Sequence, residues 1–127
     1  PPADMVDTFA LSTRVLGNGG RRHGVVGLEE AVRQLTDVPA RLYGLRDRGR
    51  LEAGWLADLV VFDPETVACG PLRRVHDLPG GADRLVADAI GMRAVFVHGA
   101  LLREGDRDCI VDEGDLPGRV LRRGAAR

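Results

Sequence analysis

The sequence predicts an α+β chain, with helices first and short strands afterwards. Three observations carry that reading. In "GLEEAVRQLT" (27–36), Leu28, Ala31, Val32 and Leu35 recur at i, i+3, i+4 and i+7, the spacing of one helical face. From Leu45 onward the texture changes, and β-branched runs alternate with Gly, Pro and Asp. Near the end, "MRAVFVHGALLREG" reads as two strands joined by a two-residue turn. Helices followed by strands imply two structural layers with a junction near Gly44, giving a helical part, 1–44, and a β part, 45–127.

Taken in order, Asp7-Thr8 can cap a first helix that runs through Phe9, Leu11, Val15 and Leu16 and ends at Gly17. "GNGGRRHG" (17–24) reads as a loop because four glycines in eight residues work against a regular element. The helix of "GLEEAVRQLT" starts with Glu29 and Glu30, whose charges suit the positive end of the dipole, and Val38-Pro39 stops it. Pro39 can open a short helix, "PARLY", closed by Gly44 in the left-handed region. "LADLVVFD" is a strand with apolar residues on both faces, as for one buried between layers. "VHDLPGGADRL" reads as a loop, since Pro79-Gly80-Gly81 interrupts pairing. In the hairpin, Met92–Val97 and Ala100–Arg103 are the arms, and His98-Gly99 is the turn, His tolerating a positive φ and Gly preferring it. "PGRVLRR" is expected to add a last strand before a frayed "GAAR".

Composition excludes more than it suggests. Eighteen basic and nineteen acidic side chains leave a net charge of −1, so nothing draws the whole chain to nucleic acid or to an anionic membrane. All the basic residues are Arg, which a GC-rich coding sequence explains, and interleaved acids argue against a functional arginine surface. No apolar run approaches the roughly 20 residues of a membrane span, and "PPADMVDTF" has neither the basic n-region nor the apolar h-region of a signal peptide. A cytoplasmic location is therefore expected. Because Pro1 stands where an initiator Met would, the chain is expected to be a fragment or processed segment.

The search for chemistry returns no complete site. His23, His76 and His98 are scattered, without the paired spacing of metal ligands. His98 reads as a turn residue, His23 as solvated and His76 as a hydrogen-bonded structural residue. Cys69 and Cys109, 40 positions apart, read as idle thiols rather than a disulfide or metal pair. Ser12, the single serine, sits mid-helix without a nucleophile-elbow setting. "GNGGRRHG" follows a helix rather than a strand and lacks the context of a phosphate loop. Asp112, Glu113 and Asp115 read as a solvated acidic turn, and Arg119, Arg122 and Arg123 as surface charge. No catalytic, cofactor-binding or metal-binding residue is assigned.

The stretch "LEEAVRQLTDVPARLYGLRDRGRLEAGWLADLVVFDPETV" nevertheless resembles the C-terminal region of the amidohydrolase superfamily, within it the N-acyl-D-amino-acid deacylase (D-aminoacylase) branch. The likeness continues through "VHDLPGGADRLV", "MRAVFVHGALLREG" and "PGRVLRRG", from about Asp4 to Gly124. The resemblance implies that 1–44 are the last helices of a (β/α)8 barrel and that 45–127 are part of a small composite β-sandwich. Gly49 and Gly54 would shape the turns before its opening strand. It also implies zinc and a catalytic Asp in the full-length enzyme, at the C-terminal face of the barrel. Of the family's last-strand motif, "SDxGxHxDM", only Asp4-Met5 match the final pair, and Pro2 stands where the motif has His. Asp4 and Asp7 are accordingly not taken as catalytic, and no metal site is carried over to this chain. Two classes of function follow. One is the C-terminal part of a metal-dependent hydrolase of non-peptide C–N bonds, inactive alone. The other is a freestanding β-rich interaction or scaffold module. Missing sandwich strands would leave an open sheet edge. The expected partner is another copy, joined at that edge or at the Leu28-Ala31-Val32-Leu35 face, or else the missing N-terminal part of the enzyme.

Overall fold

The computed structural model describes residues 10–110, 114 and 116–121. It is a mixture of short helices and antiparallel sheet: α1 (Leu11–Arg14), a wide π-helical continuation (Val15–Arg22), α2 (Leu28–Leu35) and α3 (Asp37–Leu42), then strands β1 (Leu59–Phe62), β2 (Ala68–Cys69), β3 (Arg73–Val75), β4 (Arg84–Val86), β5 (Ala89–Ile90), β6 (Met92–Val97), β7 (Ala100–Glu104) and β8 (Arg107–Asp108). The compact units do not follow chain order. One comprises the described residues up to Leu28 with Pro64–Gly91, the other Glu29–Asp63 with the described residues from Met92 on.

In the first unit the helical start departs from expectation. The proposed cap, Asp7-Thr8, lies outside the described residues. Helical structure does not end at Gly17 but continues to Arg22 in wider turns, with the His23 amide donating to the Asn18 carbonyl at 2.9 Å. Glycine composition argued for a loop; packing overrides it. A Cβ on Gly17 would stand 2.4 Å from the Val67 carbonyl oxygen, so only glycine lets the helix approach β2 so closely. Leu16 and Val67 are buried beside this contact. Beyond it runs a two-stranded antiparallel ribbon. Ala68 and Cys69 face Ile90 and Ala89, and Arg73–Val75 face Val86–Arg84. The stretch expected to be a loop is thus a second hairpin. Pro79-Gly80-Gly81 does not forbid pairing but supplies its tip, with Gly80 at φ 73°.

In the second unit α2 spans Leu28–Leu35 as predicted. Its face is only partly inward: Ala31 is fully buried, Val32 and Leu35 are half-buried, and Leu28 is exposed. α3 begins at Asp37, two residues before the expected start. Pro39 is therefore its third residue rather than its first. That position still belongs to the first turn, whose amides have no partner within the helix, so the missing N–H costs nothing there. Gly44 closes the helix at φ 71°, its amide donating to the Arg41 carbonyl at 3.1 Å.

The strands of this unit form one sheet in the order β1-β6-β7-β8. The predicted hairpin is present: His98 (φ 53°) and Gly99 (φ 81°) make the two-residue turn, with Val97 facing Ala100. β1 pairs with β6 along Leu59–Phe62. It is not buried between layers, because it lies at the sheet edge with Val60 and Val61 54% and 48% exposed. No strand forms over 116–121, where a last one was expected; Arg122 and Arg123 lie outside the described residues. No described helix is long and apolar enough to cross a membrane.

Candidate functional site

The segment "GLRDRGRLEAGWLAD" (44–58) connects α3 to β1, and its charged residues are the most organised in the second unit. Asp37, at the start of α3, is nearly buried. Its carboxylate accepts hydrogen bonds from Arg50 Nε at 2.7 Å and from Arg41 Nε at 2.9 Å. That pairing raises the pKa of Arg50 above its usual value. Between these partners sits Gly49, at φ 88°. A Cβ there would lie 2.6 Å from the Ala40 side chain, so any other residue would be both strained and obstructed.

A second clip follows. Arg48 donates to Asp47 at 3.3 Å and to Asp58 at 3.0 Å. The other oxygen of Asp58 accepts the His98 backbone N–H at 2.8 Å, and the Gly99 N–H donates to the Ala57 carbonyl at 3.0 Å. Asp58 thereby fastens the approach to β1 onto the β6–β7 turn, 40 residues away. Such charge-assisted bonds between half-buried groups fix geometry. They leave neither a free base nor a nucleophile at this place.

The residues weighed as chemical candidates are not brought together. His98 occupies the turn, as the sequence indicated, and its backbone rather than its imidazole makes the contact. His23 closes the π-helical segment and is exposed, and exposed His76 lies just past β3. Ser12 is exposed on α1. Cys69 and Cys109 are free thiols. Glu30 is held by Arg33 at 2.7 Å and Gln34 at 2.6 Å, which lowers its pKa to about 2, the Arg33 bond contributing most. Arg119 is exposed, and Asp4, Asp7, Asp112, Glu113 and Asp115 lie outside the described residues. Among the described residues no three His, Cys, Asp or Glu side chains are placed to hold a metal ion.

On the ribbon of the first unit, arginines pair across the strands. Arg84 reaches Asp77 at 2.6 Å, Arg73 reaches Asp88 at 3.1 Å, and Arg74 pairs with Asp83. These contacts lower the pKa values of Asp77 and Asp83, chiefly through the hydrogen bonds from Arg84 and Arg74. Neither clip nor ribbon was identified from sequence. The alternation of Arg and Asp in "LRDRGRLEAGWLAD" was the available signal, but it does not say which acid each arginine meets.

Comparison with known proteins places this arrangement in context. Residues 3–103 match the model of the amidohydrolase family. Three enzymes of Alcaligenes xylosoxydans xylosoxydans are similar over most of the chain. An N-acyl-D-glutamate deacylase is 40% identical over 90% of the chain, a D-aminoacylase 39% over 89%, and an N-acyl-D-aspartate deacylase 33% over 90%. These alignments take in 20%, 21% and 20% of the respective enzymes, so the chain spans about a fifth of the length of the curated relatives it matches. Among solved structures, a D-aminoacylase said to define a novel subset of amidohydrolases superposes with a TM-score of 0.62 at 36% identity, covering 77% of this chain and 19% of its own. A D-aminoacylase structure that addresses the role of a binuclear metal centre matches equally well.

Proposed function

The chain belongs to the amidohydrolase family, and from that premise we propose that it is the C-terminal part of a metal-dependent hydrolase that deacylates N-acyl-D-amino acids. The observation that carries the proposal is identity of 33–40% to three deacylases of that kind across nine tenths of the chain. In this reading the helices of 1–44 are the last of a (β/α)8 barrel, and the strands of 45–127 are part of a composite β-sandwich beside it. Among the described residues no three His, Cys, Asp or Glu side chains are placed to hold a metal ion, and in this reading the zinc, its ligands and the proton-transferring carboxylate are supplied by the rest of the enzyme. What these residues contribute is support. Asp37 and Arg50 fix the start of α3 against Gly49, and Asp58 fixes the start of β1 against the β6–β7 turn. Catalytic groups elsewhere depend on such bracing, because small misplacements are expensive in rate. No observation favours the freestanding scaffold reading over this one.

The test compares the chain alone with the longer reading frame that contains it. N-acetyl derivatives of D-glutamate, D-aspartate and an apolar D-amino acid are supplied with zinc, and release of the free amino acid is followed. Turnover by the longer protein, with none by the 127-residue chain, is the expected result. Turnover by the short chain at a comparable rate, or none by the longer protein with any N-acyl-D-amino acid, would overturn the proposal.

A further inference from the structure

The chain contains a single asparagine, Asn18, and glycine follows it at 19 and again at 20. That dipeptide carries a chemistry of its own. No Cβ shields a glycine nitrogen, so it is the backbone nitrogen best able to reach the side-chain carbonyl carbon of a preceding asparagine. In flexible chain the nitrogen attacks Cγ, the Cγ–Nδ2 bond breaks, and ammonia leaves with the amide proton. Water then opens the resulting imide at one carbonyl or the other, giving aspartate or isoaspartate. Here the dipeptide is not in flexible chain. It lies half-buried within the π-helical run, where the His23 N–H donates to the Asn18 carbonyl and the Val25 N–H to the Gly19 carbonyl, both at 2.9 Å. Helical backbone turns the next nitrogen away from the side-chain carbonyl carbon and commits its N–H to a carbonyl one turn earlier, so ring closure is shut off while the helix stands. A run this rich in glycine has little helical stability of its own. Its fixed point is Gly17, seated so close to Val67 that a Cβ would stand 2.4 Å from the carbonyl oxygen.

We propose that Asn18-Gly19 is a deamidation site latched by this turn, inert while Gly17 is seated on Val67 and reactive once that contact opens. The opening is local, because a glycine-rich turn with one tight anchor lies at the low end of a protein's stability range. The product is one-way. Isoaspartate inserts an extra methylene into the main chain at position 18, and the carbonyl that receives the His23 N–H is displaced with it. Aspartate puts a negative charge at a half-buried position instead. A molecule that has opened and reacted cannot rebuild the same turn, so the site marks copies whose first unit has come undone. Nothing in this depends on the reaction that the amidohydrolase performs.

The chain is incubated at mildly alkaline pH in native buffer and in guanidinium, and the exchange of an amide NH2 for OH is followed by mass. Trypsin isolates the peptide 15–21, which separates Asn18 from Gln34, the one other side-chain amide, and chromatography resolves its aspartate and isoaspartate forms. Deamidation at least about tenfold slower in native buffer than in guanidinium is expected, the ratio reporting how seldom the turn opens. Two variants separate the chemistry from the latch. Gly19→Ala fits the helix, since its Cβ meets only the Arg14 carbonyl oxygen at 3.9 Å, and it should slow the reaction in guanidinium by hindering the nitrogen. Gly17→Ala cannot keep its seat on Val67, and it should bring the native rate close to the unfolded one. Circular dichroism checks that Gly17→Ala retains its sheet. If it does not, graded guanidinium below the global transition takes its place, and the rate should rise before the fold is lost. No reaction in guanidinium, or none of the expected slowing with Gly19→Ala, would overturn the site. A native rate equal to the unfolded one while the helix is present would overturn the latch. So would a rate that Gly17→Ala leaves unchanged, or one that stays flat in denaturant until the whole fold melts.

Discussion

The chain uses arginine–aspartate pairs in two regions, and they serve different purposes. On the 68–90 ribbon the pairs run between segments that backbone pairing already holds side by side, and every one of these side chains is a third or more exposed. In the second unit, Asp37 and Asp58 tie together segments 13 and 40 residues apart in sequence, and the side chain of Asp37 is only 12% exposed. Exposed ion pairs contribute little because water and salt screen them and the side chains lose freedom. A half-buried carboxylate that satisfies several donors is different, since removing it strands those donors. The same chemistry is therefore decoration in one place and a fastening in the other.

Four measurements sharpen or break that contrast, beginning with the largest effect. Gly49→Ala places a Cβ against Ala40 at a residue with φ 88°, combining backbone strain with overpacking. A loss of about 3 kcal/mol in unfolding free energy is expected from denaturant titration. Asp37→Ala removes the acceptor shared by Arg41 and Arg50, and a loss of about 2 kcal/mol is expected by the same measurement. If Asp37→Ala were silent, the distinction between the regions would fall. On the ribbon, the double change Asp77→Asn with Asp83→Asn should leave the thermal midpoint within scatter, and 0.5 M salt should erase any residue of an effect. A clear drop there would make the ribbon pairs structural after all.

The smallest effect concerns acid. Glu30 has a folded-state pKa of about 2 against an ordinary 4.5, because it accepts hydrogen bonds from Arg33 and Gln34. The folded state therefore binds fewer protons than the unfolded state between these values. Its contribution is fully present above pH 4.5 and disappears as pH falls through 2. Glu30→Gln should flatten the acid limb of a stability–pH curve slightly within that window, lowering neutral stability by the same small amount and leaving stability at the acid end of the window unchanged. A steeper acid limb in the variant would contradict the assignment.

Local signals made part of this structure legible. The α2 period, the His98-Gly99 turn and Gly44 as a cap depend on neighbouring residues, so sequence states them directly. The ribbon was hidden because Pro79-Gly80-Gly81 was read as a break, although a hairpin tip has the same composition as a loop. The π-helical run was hidden because Gly17 answers to Val67, 50 residues away. The exposure of β1 was missed because an apolar run looks the same whether its cover is present or absent. For the candidate site, scattered histidines could be recognised as scattered. The role of Asp37 and Asp58 could not be read, since a carboxylate's partner is chosen by the fold rather than by spacing.

The interleaving of the two compact units has a consequence for synthesis. A ribosome delivers residues from the amino end at roughly 5–20 per second. When Asp63 emerges, the first unit still lacks its entire ribbon, and the second still lacks β6, the strand to which β1 must pair. Neither can close until Gly91 and the β6–β7 hairpin have left the exit tunnel. Until then Leu59–Phe62 is a nascent apolar segment with no mate, the feature that holding chaperones recognise. Birth of this polypeptide is thus a waiting problem, and a stall near residue 63 would expose it for longest.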